Sequence, residues 1–156
     1  MEGTIRRAIL ELKYQGVSSL AKPLGRLLHE YLVGHPLPSH LIVPVPLHAR
    51  RQRQRGFNQA ILLAKELSRL QRIPVDLSVL QRVRNSPAQA KANTAEERRA
   101  NVRDAFGPAE GPPLQGKRVL LVDDVCTTGA TLDACARPLK AAGAAKVWGL
   151  TLARER

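Results

Sequence analysis

The chain has 156 residues, a net charge of +12 and a composition that is 44% hydrophobic, which suits one domain with a sizeable core, spanning residues 1–156, and excludes a disordered polyelectrolyte. No apolar run approaches the ~20 residues of a membrane-spanning helix, and the opening MEGTIRRAILELKYQG has neither the apolar stretch nor the cleavage site of a signal peptide. The two cysteines, Cys126 and Cys135, form no C-x-x-C pair, so a structural zinc site is not expected and a reducing cytoplasm is.

Taken in chain order, helical and strand patterns alternate, which predicts an α/β fold with a mainly parallel sheet flanked by helices. TIRRAILELKY places Ile5, Ile9 and Leu12 on one helical face. SSLAKPLGRLLHEYL follows with Leu20, Leu24, Leu27, Leu28 and Tyr31 inward, Ser18 or Ser19 as its cap, and Gly34, Pro36 and Pro38 beyond its end. LIVPVPL, residues 41–47, reads as a strand that runs out into a loop at Pro44 and Pro46. NQAILLAKELSRL is an amphipathic helix with Ala60, Ile61, Ala64 and Leu67 inward, and VDLSVLQRV reads as a second strand. The polar stretch RNSPAQAKANTAEERRANVRDAF has no strand pattern, but Thr94 and Glu97 have the spacing of a capping box for a short helix. KRVLLVDDV is a third strand, apolar enough to be central. TLDACARPLKAAGA is a helix that Pro138 kinks and Gly143 stops, and KVWGLTLA is the last strand.

The chemistry concentrates in VLLVDDVCTTGATL. A buried strand ends in Asp123 and Asp124, and a helix begins near Thr131. Ligands of open α/β sheets sit at the carboxyl ends of the strands, and a helix N-terminus offers free N–H groups and partial positive charge. Thr127, Thr128 and Thr131 add hydroxyls, and Gly129 permits close backbone approach. The carboxylates suit a sugar diol, or Mg²⁺ directly or through water. A phosphate on one side and a diol on the other describe a ribose 5-phosphate; the bland reading makes the acids caps of the turn. No G-x-x-x-x-G-K-[ST] or G-x-G-x-x-G is present. Upstream, Arg50, Arg51, Arg53 and Arg55 follow a strand end and can neutralise several phosphate charges; a solvated basic loop or a nucleic-acid patch is the other reading. With aromatics at 3%, base stacking along a single strand is poorly served.

DDVCTTGAT resembles the phosphoribosyl pyrophosphate (PRPP) signature of the type I phosphoribosyltransferases. VPVPLHARRQRQRGFNQA, LKYQG, the closing TLAR and SPAQAKANTAEERRANVRDAF resemble the ComF-like competence proteins, a branch of that superfamily, over nearly the whole chain. The four-cysteine zinc ribbon with which many of those proteins begin is lacking, which implies a short form or a late start, and leaves a DNA-related role resting on that ribbon unsupported. The resemblance implies that Asp123 and Asp124 hold the ribose hydroxyls and serve catalysis, with Mg²⁺ as cofactor. Thr127, Thr128, Gly129, Ala130 and Thr131 then hold the 5′-phosphate, and Pro46, Leu47, Arg50, Arg51 and Arg55 the pyrophosphate. A lid over residues 84–103 carries Gln89, Arg98 and Asn101.

The implied reaction transfers phosphoribosyl to a nitrogen acceptor with loss of pyrophosphate. Thr127 stands where some purine-specific relatives place an acid, which disfavours hypoxanthine and guanine. The rival reading is a non-catalytic PRPP- or nucleotide-binding module, or a single-stranded-DNA-handling part of competence. Weak DNA or competence-protein contact and homo-oligomerisation are the partners that either reading allows.

Overall fold

The computed structural model describes residues 3–14, 18–84 and 94–155. Its elements are α1 (Thr4–Tyr14), a 3-10 turn at Ser18–Leu20, α2 (Ala21–Gly34), β1 (Leu41–Pro44), α3 (Ala49–Arg55), α4 (Gln59–Gln71), β2 (Leu80–Arg82), α5 (Ala95–Val102), β3 (Phe106–Pro108), β4 (Arg118–Cys126), α6 (Ala130–Ala141) and β5 (Lys146–Arg154).

β4 lies between β1 and β5, parallel to both. Its run over residues 119–122 is apolar on both faces because both are covered. Val119 and Leu121 face a core completed by Cys135 and Leu139 of α6, with Phe106 and Val102. Leu120 and Val122 face the opposite core, with Leu12 of α1, Leu24 and Leu28 of α2, and Leu63 and Leu67 of α4. The side-chain period of two produces this division.

Several expectations need correction. Leu27 and Tyr31 of α2 are exposed and Leu32 is buried instead, because α2 turns its inward stripe toward α4. The serines do not cap α2: the turn Ser18–Leu20 runs straight into it, and Leu20 sits at its start with no side-chain cap. In α4 the buried position is Leu63 rather than Ile61. VDLSVLQRV is not one strand. Val75 makes a single parallel bridge to Ile42; the Asp76 carboxylate then accepts from Ser78 N at 2.7 Å and Ser78 Oγ at 2.6 Å, a local turn that breaks the extended run. Only Leu80–Arg82 resumes it, as β2, antiparallel to β3 in a separate two-stranded sheet. β3 begins at Phe106, the last residue of the segment expected to hold no strand, and continues to Pro108. β1 stops at Pro44, as its prolines predict, although Val45 N still donates to Val122 O at 2.9 Å.

Candidate functional site

The alternation that sorts the β4 core also divides its two carboxylates. Asp124 continues the Leu120–Val122 face. It is 3% exposed, and its Oδ2 receives Lys13 Nζ of α1 at 2.9 Å and Gln59 Nε2 of α4 at 3.3 Å. Its Oδ1 accepts from Val125 N at 2.8 Å. Gln59 also accepts from the Arg55 guanidinium at 2.7 Å, and that guanidinium lies 5.6 Å from the centre of the Tyr14 ring. The segment RGFNQA therefore does structural work: Asn58 caps α4 by accepting from Ala60 N and donates to Val45 O, while Arg55 and Gln59 link α3 and α4 to Asp124.

Asp123 takes the other direction and lines a cavity of about 930 Å³ at the carboxyl end of β4. Burial, and then the charge of Asp124 one residue on, push its carboxyl up to about 8, because the charged form loses solvation and meets a like charge. Along the same cavity run Thr127, Thr128, Gly129, Ala130 and Thr131. Gly129 starts α6 with φ +81, a left-handed conformation that glycine adopts without strain. Its carbonyl accepts from Asp133 N at 2.9 Å, and Thr128 Oγ1 accepts from Ala130 N at 3.3 Å. Hydroxyls, a helix N-terminus and a carboxyl group thus line one cavity, the chemistry that an anion beside a polyol needs.

The residues fit a magnesium ion. Hard oxygen donors border the cavity, with Asp123 foremost, and Mg²⁺ typically takes one or two carboxylates and completes its shell with water and substrate oxygens. Asp124 could join only if Lys13 gave up its place. Among the described residues no three His, Cys, Asp or Glu side chains gather into a cluster, so substrate or water would have to supply the remaining ligands.

The basic segment is placed differently. Pro46, Leu47, Arg50, Arg51 and Arg55 follow the end of β1, the strand beside β4, but none of them lines this cavity. Arg50 and Arg53 are exposed, and Arg51 and Arg55 are half-buried. Arg82 of β2 lies 5.2 Å from the centre of the Phe106 ring; burial and then the charge of Arg51 lower its pKa. Of the residues expected in a lid, Gln89 lies outside the described residues, Arg98 falls within α5, and Asn101 is exposed on α5. The helix begins with the expected capping box: Glu97 N donates to Thr94 Oγ1 and Thr94 N to Glu97 Oε2, each at 3.1 Å. Val102, at its end, is buried in the core.

Sequence reasoning missed the part of the cavity lining that α1 supplies. Arg6, Ile9, Leu10 and Lys13 of α1 line the cavity there, and Arg154 and Glu155 close its end. Pairing of Cys126 with Arg154, and a bond from Glu155 N to Cys126 O at 2.9 Å, fix that end beside the loop. LKYQG and TLAR were the available signals, but neither motif says that its side chains meet across a cavity.

Comparison with known proteins gives a consistent result. The family described as phosphoribosyl transferase domain matches residues 55–156. Competence protein F of Haemophilus influenzae is 37% identical over 153 residues, covering 93% of this chain and 66% of its own length. The DNA utilization protein YhgH of Escherichia coli K12 is 38% identical over 150 residues, 91% of this chain and 64% of that protein. The chain thus spans about two thirds of the length of these relatives. Among solved structures, glutamine PRPP amidotransferase from B. subtilis, complexed with ADP and GMP, matches with a TM-score of 0.59 and 24% identity, over 87% of this chain and 26% of that one. Purine phosphoribosyltransferase from Pyrococcus horikoshii matches with a TM-score of 0.50 and 22% identity, over 85% and 70%. These likenesses show the fold.

Proposed function

The chain belongs to the phosphoribosyltransferase domain family, on the branch of the competence protein F relatives, and from that premise we propose that it binds PRPP with Mg²⁺ and transfers the phosphoribosyl group to a nitrogen acceptor. The observation that carries this reading is the meeting of Asp123 and the 127–131 loop in one cavity at the end of the central strand. The loop hydroxyls and the N-terminus of α6 receive the 5′-phosphate, and Asp123 receives the ribose diol. Asp124 holds α1 and α4 in register around the site and reaches the diol only when Lys13 lets go. Arg50, Arg51 and Arg55 serve the pyrophosphate, and α5 carries the lid residues Arg98 and Asn101.

In the reaction the acceptor nitrogen's lone pair forms the bond to ribose C1 as the C1–O bond to pyrophosphate breaks. The electron pair leaves with pyrophosphate, which also carries away the nitrogen's proton. Bound Mg²⁺ would neutralise charge on the departing group. The chain's own contribution is to position the ribose and to stabilise charge with fixed donors. Calorimetry with Mg²⁺ and PRPP tests the binding: Asp123→Asn should weaken it at least tenfold with the fold intact, and Asp124→Asn by less. Equal affinity in wild type and Asp123→Asn would remove the reading.

A second reading rests on the net charge of +12 and the exposed Arg50 and Arg53, together with relatives named for competence and DNA utilization. In it the protein binds PRPP or a nucleotide without turnover and handles single-stranded DNA. Release of pyrophosphate from PRPP across a panel of nitrogen acceptors separates the two.

A further inference from the structure

The part of the cavity lining that α1 and the end of β5 supply has a composition of its own. Ile9 and Leu10 present apolar surface to the cavity, Leu10 while 46% exposed. Flanking them are the cations Arg6, Lys13 and Arg154. Lys13 is spent on Asp124 at 2.9 Å. Neither the Arg6 nor the Arg154 guanidinium has a hydrogen-bond or ion-pair partner among the described residues. The carboxyl groups that line this cavity are those of Asp123 and Glu155. Asp123 is taken by the ribose in the reading above, so two unpaired guanidinium groups stand against the exposed carboxylate of Glu155.

Such a wall discriminates among acceptors. A neutral base needs hydrogen-bonding partners for its ring edge, and the wall offers it two guanidinium donors, Glu155 and aliphatic surface. An acceptor with a carboxylate finds a planar, fork-like donor in either arginine, and its ring or chain rests on Ile9 and Leu10.

We propose that the acceptor is a small nitrogen compound bearing a carboxylate, its apolar face against Ile9 and Leu10 and its carboxylate on Arg6 and Arg154. This rests on the PRPP reading for the transferred group. The acceptor is an aromatic or heteroaromatic acid whose ring or amino nitrogen attacks ribose C1; the C1–O bond breaks as the C1–N bond forms, and pyrophosphate leaves with the electron pair and takes the proton of an attacking amino nitrogen.

Matched probe pairs test it: nicotinate against nicotinamide, and 2-aminobenzoate against 2-aminobenzamide. Binding of each is measured by calorimetry with and without PRPP and Mg²⁺, to wild type, Arg6→Gln and Arg154→Gln. The acids should bind wild type at least tenfold more tightly than their amides. Each glutamine variant should lose most of that preference while its PRPP affinity changes less than twofold. The proposal is overturned if acid and amide bind alike, if neither member of either pair binds, or if the variants lose PRPP as strongly as the acids, which would assign both arginines to PRPP phosphates. Failure of wild type to bind PRPP would sink the ribose reading instead, and the acid-against-amide comparison made without PRPP would still decide the arginine pair.

Discussion

Asp123 ends an apolar strand with its carboxyl in a cavity and a second carboxylate as its neighbour. A carboxyl whose pKa rises on folding binds more protons in the folded state, so stability falls as pH rises between the ordinary carboxyl pKa and the raised one. Here that window runs from 3.8 to about 8: the contribution is full below pH 4 and gone above pH 8. Asp123→Asn should therefore raise the melting temperature at pH 8 by several degrees and leave it nearly unchanged at pH 4, because an amide keeps the neutral form at every pH. Melting curves at both values check this; a variant no more stable than wild type at pH 8 counts against it. Asp124 poses the opposite problem. Its charge is buried and held by Lys13, and removing one partner of such a pair typically costs roughly 3–5 kcal/mol. Lys13→Met should approach the lower end, since the Lys13 side chain is 22% exposed. Adding Asp124→Asn should restore much of the loss, and purely additive losses in a double-mutant cycle would show that the pair is not coupled.

At the scale of elements, local rules were legible where one rule acted alone. The capping box of α5 depends only on Thr94 and Glu97 and is readable from their spacing. β1 ends where Pro44 and Pro46 require, and β4 is recognisable as central from its unbroken apolar run. The failures came where packing chose among several apolar positions. The leucine-rich α2 carries more apolar residues than its buried face needs, so Leu27, Tyr31 and Leu32 could not be ranked without α4. VDLSVLQRV has a strand's composition, and only the Asp76–Ser78 turn breaks it. The loop half of the site was legible as a motif; the α1 wall was not, because its residues lie more than a hundred positions away and meet the loop only through the fold. α5 offers a direct test of the local rule. Thr94→Ala removes the acceptor for Glu97 N, and loss of such a cap costs about 1 kcal/mol. Faster amide exchange across residues 95–102, with β4 protected as before, is the expected outcome. Uniform acceleration throughout the protein would mean that α5 unfolds only together with the core.

For the whole molecule the dominant quantity is the charge of +12. Such a field draws polyanions at long range, whatever the cavity binds. Arg50 and Arg53 of α3 and Arg99 and Arg103 near α5 are exposed, so backbone phosphates can reach them. Single-stranded DNA should bind weakly and without sequence preference, because the energy comes from counterion release rather than from base contacts. Each phosphate contact on a single strand contributes about 0.7 to the slope of log affinity against log salt. Arg50→Ala combined with Arg53→Ala should therefore flatten that slope by about 1.4 if both arginines touch phosphates. Pyrophosphate should displace the DNA if Arg50 and its neighbours also serve the leaving group. Fluorescence anisotropy with a labelled oligonucleotide, repeated across a salt series with and without pyrophosphate, measures both effects. Tight binding that survives high salt and ignores pyrophosphate would put DNA on a different surface and separate it from the phosphoribosyl site.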